Sequence, residues 1–404
     1  MKTRTLPASL ACALLLPLAA CVGYRAAPLS IDRPLQRAQP LPVPLSFEAA
    51  VRYAVEHNPD LVALRARADA VNVRPPREPI EVGAGVDSDH RFEASAALDA
   101  LSLLGLGTRP ADLALACARR SEAWLAHHAR AREIAGEIAE AFAVERALLG
   151  LTEPDLAIDA AAYVRAGLEG TVAEAADKAT KADWAAERAQ RTAERHANRL
   201  ALARLLGIGS GEEPVPVAVD DTWPPIENPA PSALIRARAD VQHRIGAFEV
   251  ADRELRRAVA AQYPTLVLEP GVAADPTSLF GAVRLKIPVG ARGEVRSAEA
   301  AREAARSDVD SVILDAVREA GESRARYEAA VVARAAAVQR LDASGALFRA
   351  GRTRVQVAAG SVIETVLSAD AVVGAARNLR EAVLDEARAR VRAARAAGWP
   401  HAVR

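Results

Sequence analysis

A unit of about 185 residues is written twice in this chain. Tyr263-Pro264 echoes Glu78-Pro79 ahead of a strand-like segment, and Pro288-Val289-Gly290 echoes Leu103-Leu104-Gly105 behind one. Farther on, Arg349-Ala350-Gly351 echoes Arg165-Ala166-Gly167. Independent markers at one offset are the mark of a duplication. Each copy runs helix, strand pair, long helix, turn, long helix. Helical patterning in the first copy covers residues 47–57, 60–73, 109–149 and 155–206; in the second it covers 233–262, 293–348 and 361–397. Ser46 is a good N-cap for the first helix, and Asn58-Pro59-Asp60 breaks it. At 1.5 Å per residue the long arms reach about 60 to 80 Å. No compact core needs that length, so such helices bury themselves on one another.

Composition agrees. Hydrophobic residues make up 51% of the chain but aromatic ones only 4%. Alanine therefore supplies most of the apolar surface, as suits closely spaced helices and not an aromatic-rich α/β enzyme. Lys and Arg number 52, equal to Asp and Glu, which leaves no net field to draw nucleic acid. Cys12, Cys21 and Cys117 have neither metal spacing nor the density of a disulfide framework.

Residues 1–20 read as a bacterial export signal, with Lys2 and Arg4 before an apolar stretch too short to span a bilayer. Leu18-Ala19-Ala20-Cys21 then resembles the lipobox of bacterial lipoproteins, where the cysteine becomes the first residue and receives acyl chains. Cys21 is the expected lipidation site, and this covalent lipid is the one non-protein group expected; an ordinary signal cut after Ala20 is the alternative. Each buried CH₂ contributes about 0.8 kcal/mol, so several chains anchor stably. Val22 follows in place of the aspartate linked to inner-membrane retention, which favours the outer membrane. Residues 21–44 form a Pro-rich tether, 45–207 and 233–399 the two copies, 208–232 a Pro- and Gly-rich linker, and 400–404 a tail.

The segments between helices alternate with period two. Over 80–87, Ile80, Val82, Ala84 and Val86 oppose Glu81 and Asp87; over 92–101, Phe92, Ala94, Ala96 and Leu98 oppose Glu93 and Asp99. In the second copy Leu266, Leu268 and Val272 oppose Glu269, and Val283, Leu285, Ile287 and Val289 oppose Arg284 and Lys286. A half-buried soluble hairpin shares this pattern. Isolated hairpins, however, are marginal in water and leave edges open. Four strands are too few to close a barrel, whereas three chains supply twelve. Apolar residues would then meet lipid, and Glu81, Asp87, Glu93, Asp99, Glu269, Arg284 and Lys286 an aqueous lumen. A spanning strand has about 9 to 11 residues, a length the first and third segments barely reach.

With these pieces in place, the chain resembles the TolC-like outer-membrane efflux and secretion channels. The resemblance rests on an ordered set: Leu45-Ser46-Phe47-Glu48-Ala49-Ala50, Asn58-Pro59-Asp60-Leu61, Leu205-Leu206-Gly207 and Ala239-Asp240-Val241. It continues through residues 260–266 and 284–290 and the terminal Gly398-Trp399. It implies a mainly α fold with a small β part: long helical hairpins forming a trimeric α-barrel, and four strands per chain contributing to a twelve-strand β-barrel. It also implies a homotrimer in the outer membrane that extends into the periplasm, meets a periplasmic adaptor and serves an inner-membrane pump of the RND or ABC class. Gly167 and Gly351 are the expected turns at the periplasmic tips, with residues 168–172 and 352–357 as the adaptor's grip. The family's entrance aspartates align with Thr365 and Ser368; Glu364 and Asp370 nearby are candidates for a shifted acidic ring, or lie on an ordinary solvated face.

Catalytic chemistry is not written here. His57, His127-His128 and His243 are scattered on helices, Glu133, Glu137 and Glu140 alternate with Arg130 and Arg132, and Gly207-Ile208-Gly209 follows a helix where a phosphate loop precedes one. The expected role is a passive duct and not an enzyme. The competing reading is a non-conducting periplasmic coiled-coil lipoprotein that spaces envelope layers.

Overall fold

The computed structural model describes residues 45–71, 81–86, 92–99, 108–151, 156, 171–209, 214, 226, 229–273, 279–286, 292–357 and 361–399. Cys21, Asp87 and Gly167 lie outside the described residues. The first copy contains α1 (Phe47–His57), α2 (Pro59–Ala70), β1 (Glu81–Val86), β2 (Phe92–Asp99), α3 (Arg109–Leu149) and α4 (Val172–Leu206). The second contains α5 (Pro231–Ala237), α6 (Ala239–Ala260), β3 (Thr265–Ala273), β4 (Leu279–Lys286), α7 (Arg292–Gln356) and α8 (Val362–Ala396).

The joints follow from local chemistry. Ser46 Oγ accepts from Ala49 N at 3.2 Å and starts α1. Asn58 ends α1 and caps α2, its Oδ1 accepting from Asp60 N at 2.9 Å. Its Nδ2 donates to Leu205 O at 2.8 Å, which ties the start of the copy to the end of α4. There Gly207 takes φ 72°, and a Cβ would fall 2.7 Å from His57 O. Gly398 does the same work after α8: φ is 95°, and a Cβ would fall 2.5 Å from Ala237 Cβ. In both copies the next amide reaches back to the last turn, Ile208 N to Ala203 O and Trp399 N to Ala394 O, each at 3.0 Å. Trp399 then stacks on Phe47, with centroids 5.5 Å apart.

The expected single helix over 233–262 is two helices, because Arg238 is extended between α5 and α6. Of the arm expected over 155–206, the described residues are helical over Val172–Leu206, and residues 157–170 lie outside the described residues. The largest departure is at Gly351, expected as a turn. It is helical, and α7 runs unbroken over 65 residues, about 98 Å. The reversal falls after Gln356, and α8 begins at Val362 under the Ser361 cap.

The helices pack as supercoiled neighbours. On α7 every seventh residue from Val295 to Gly351 is buried or half-buried: Val295, Arg302, Val309, Ala316, Ser323, Ala330, Ala337, Ser344, Gly351. A strict seven-residue seam winds helices left-handedly, and the small side chains from Ala316 onward let the backbones approach. One apolar core joins α1, α2, α3 and α4 around Leu61, Ile134, Ile138, Phe142, Leu202 and Leu206. Another closes the far end around Trp184, Phe348, Val355, Val366 and Val373.

Candidate channel wall and its two ends

The four strands make one antiparallel sheet in the order β1-β2-β3-β4. Directly opposed residues share a face, so the register decides what lies together. Glu81 opposes Ala97, Glu93 opposes both Gly85 and Ala273, and Asp99 opposes Val267. Val267 opposes Arg284, Glu269 opposes Ala282, and Thr265 opposes Lys286. Six of the seven expected lumen residues thereby fall on one face: Glu81, Glu93, Asp99, Glu269, Arg284 and Lys286. The other face holds Val82, Ala84, Val86, Phe92, Ala94, Leu98, Leu266, Leu268, Val272, Val283 and Leu285, with no charge among its described residues. Among the described residues, β1 and β4 each pair on one side only.

No described helix is long and apolar enough to cross a membrane. Below the sheet the wall is helical. Arg238 ties α6 to α7, pairing with Asp240 and Glu319 at 2.7 Å each. Burial alone would push the Asp240 carboxyl up, but the Arg238 guanidinium holds it below the usual carboxylate range. On α3, His127 is 6% exposed and neither ring nitrogen has a hydrogen-bond partner among the described residues. Burial, then His128 and Arg65, depress its pKa, and Asp69 opposes them. No three His, Cys, Asp or Glu side chains among the described residues are placed to hold a metal.

Farther down, the two copies meet through charge. Along α4 as far as Arg191 the buried positions are Ala173, Asp177, Thr180, Trp184, Glu187 and Arg191, alternating by four and three residues. Glu187, 1% exposed, lies 2.9 Å from Arg380 Nε of α8, itself 3% exposed. Arg191 and Arg377 stand 3.6 Å from the same carboxylate. Arg380 also donates to Glu194 at 2.6 Å. Nearby, Glu145 of α3 accepts from Arg195 at 2.8 Å and Arg199 at 2.7 Å. Sequence reasoning missed this cluster, although the four-three spacing on α4 is legible. Charged residues in that register look like a solvated face until a second helix is placed over them.

At the far end, Gly351 sets a distance and not a turn. A Cβ there would lie 3.0 Å from Thr365 Oγ1 and 3.6 Å from Thr365 Cα, so the glycine lets α7 and α8 touch. Thr365 is 1% exposed and donates to Ser361 O at 3.0 Å, which removes it from any lumen ring. Ser368 donates to Thr365 O at 2.7 Å. Glu364 and Asp370 are both exposed on α8. Six residues apart, they point about 120° from each other and belong to different faces.

No model of a known protein family and no curated protein matches the chain. Solved structures do. CusC, described for its folding and transmembrane channel formation, superposes with a TM-score of 0.70 at 16% identity, covering 87% of this chain and 92% of that one. The outer membrane protein VceC of Vibrio cholerae gives 0.68 at 19% identity, covering 87% and 96%. The open state of the Neisseria gonorrhoeae MtrE outer membrane channel gives 0.64 at 15%, covering 87% and 88%. This chain has the fold of the TolC-like outer-membrane channels.

Proposed function

We propose that the chain is one subunit of a trimeric outer-membrane channel. It serves as a passive exit duct for solutes driven by an inner-membrane pump of the RND or ABC class, reached through a periplasmic adaptor. The observation that carries this reading is the sheet: among the described residues, its charges lie on one face, apolar residues on the other, and its two edges have no partner. Unpaired edges are not tolerated in lipid, where every backbone group needs a partner. Pairing β4 of one copy with β1 of the next, three times over, removes them and turns the charged face inward. Cys21 carries the lipid that holds the assembly at this membrane.

The decisive experiment is conductance in planar bilayers, with the oligomeric state of the detergent-extracted protein alongside. A heat-modifiable trimer that conducts supports the duct. A soluble rod without conductance replaces it with the envelope-scaffold reading, which the short strands of six to nine residues favour. Arginine at Val283 or Leu285 is expected to cost about 2 to 4 kcal/mol near mid-bilayer, whereas Lys286→Arg is silent. Equal tolerance at all three removes the lipid-facing assignment. Cys21→Ser abolishes fatty-acid labelling; an unlabelled wild type removes the anchor.

A further inference from the structure

Two histidine contacts meet α3 from different sides within two turns of that helix. α3 packs against both α2 of its own copy and α6 of the other. Glu122 and His127 stand on it five residues apart, so they point about 140° from each other. Toward α6, Glu122 Oε1 lies 2.9 Å from His243 Nε2, a contact between half-buried side chains. Arg244 beside His243 is exposed, as are Asp310 and Asp315 on α7, the other helix against α6, where Asp315 is 2.9 Å from Arg318. Toward α2, His127 is buried, and neither of its ring nitrogens has a hydrogen-bond partner among the described residues. Facing it are Arg65 and Asp69 of α2 and, on α3 itself, the exposed His128. Trp124 adds an aromatic contact, with centroids 5.5 Å apart.

A proton changes these two contacts in opposite senses. At His243 it turns a hydrogen bond between imidazole and carboxylate into a charge-assisted ion pair, the stronger of the two. At His127 it places a charge in a buried site with no acceptor in reach, beside Arg65 and His128, with Asp69 as the opposing attraction. Carboxylates keep their charge between about pH 7.5 and 5.5, so imidazoles are the side chains that change there. We propose that α3 is a pH-sensitive switch, which trades its hold on α2 for its hold on α6 as the medium acidifies. His127 releases α2 while His243 draws α6 in, so the contact between the copies tightens as the first copy loosens. Burial favours the neutral ring of His127 and lowers its pKa, which sets the same direction. The α2 contact is therefore complete above about pH 6.5 and is lost as pH falls toward the folded pKa.

The test is amide hydrogen exchange on the full-length protein in detergent at about pH 7.5 and 5.5, corrected for the pH dependence of the intrinsic rates. Exchange over α2, Pro59–Ala70, is expected to rise about fivefold at the lower pH, the low end of the range for coupled sites. Exchange in α6 around His243 should fall. His127→Phe abolishes the α2 response and leaves that of α6, and Glu122→Gln does the reverse. His127→Leu repeats the first arm with a smaller side chain if the phenylalanine variant does not fold. An α2 response that survives loss of the imidazole overturns the proposal. So does a wild type in which α2 is indifferent to pH, or one in which α2 and α6 both loosen. Exchange is read whether or not the protein conducts. A conducting channel with a pH-indifferent α2 loses the switch alone, and a protein that shows the expected exchange but never conducts loses only the duct.

Discussion

α4 and α8 are equivalent arms, each of 35 residues, and both end in a left-handed glycine. Around the ionic contact that they share, their buried faces differ in composition. α8 hides Val362, Val366, Val372, Val373, Leu384 and Val391 with Arg380 and Thr365 among them, whereas α4 hides Asp177, Thr180, Glu187 and Arg191 around Trp184 before it reaches apolar Leu202 and Leu206. The same backbone unit therefore tolerates a mostly apolar buried face in α8 and a charge-bearing one in α4, and the two meet at Glu187 and Arg380. Apolar burial is non-directional and scales with the area removed from water. Buried ion pairs repay desolvation only while every partner is present. The contact between the two copies is thus the part of the packing held on terms that solvent conditions can change.

Removing one member of the ionic seam should show this most strongly. Arg380→Ala takes the nearest guanidinium from buried Glu187 and the partner from half-buried Glu194, at a cost of about 3 kcal/mol in unfolding free energy, with Arg191 and Arg377 left 3.6 Å from Glu187. A double change to Leu at Glu187 and Met at Arg380 should recover most of that loss. If the single variant is as stable as the wild type, the seam is not ionic in solution.

Between α7 and α8 the matching challenge is steric. Gly351→Val pushes a side chain into Thr365 and should cost about 1 to 3 kcal/mol. Alanine at Thr365 in the same chain relieves part of it, a coupling that a double-mutant cycle reads directly. No coupling means the helices are not in contact there.

A smaller change sharpens the helix starts. Ser361→Ala removes the Oγ that accepts from Glu364 N at 3.3 Å and should cost about 1 kcal/mol.

Smallest is the response to pH at His127, again in the first copy. Its folded pKa lies below the ordinary value of about 6.5. As pH falls through 6.5, the unfolded chain takes a proton that the folded chain resists, so stability present above 6.5 is lost toward the folded pKa. The melting temperature should drop between pH 7.5 and pH 5.5, less so in His127→Phe. A drop of equal size in both proteins assigns the response to other groups.

Much of the fold was legible in the residues. Period two and period 3.6 patterns located all four strands and the arm 109–149, because each is a local repeat along one chain. The one-sided charge of the sheet followed from the same alternation. What failed was non-local. An Arg-Ala-Gly triplet looks alike whether its glycine turns the chain or admits a neighbour, and only Thr365, fourteen positions on, tells them apart. Glu187 and Arg380 lie in different copies, so nothing near either reveals the other. The break at Arg238 has no proline or glycine to announce it.

The unpaired outer edges of β1 and β4 carry a genetic consequence. If three copies must close one ring, a subunit whose edge cannot pair spoils every ring it enters. With equal synthesis of intact and edge-blocked chains, only about one ring in eight would be wholly intact. A proline in β4 should therefore act dominantly over a normal allele, and its severity should follow the cube of the intact fraction.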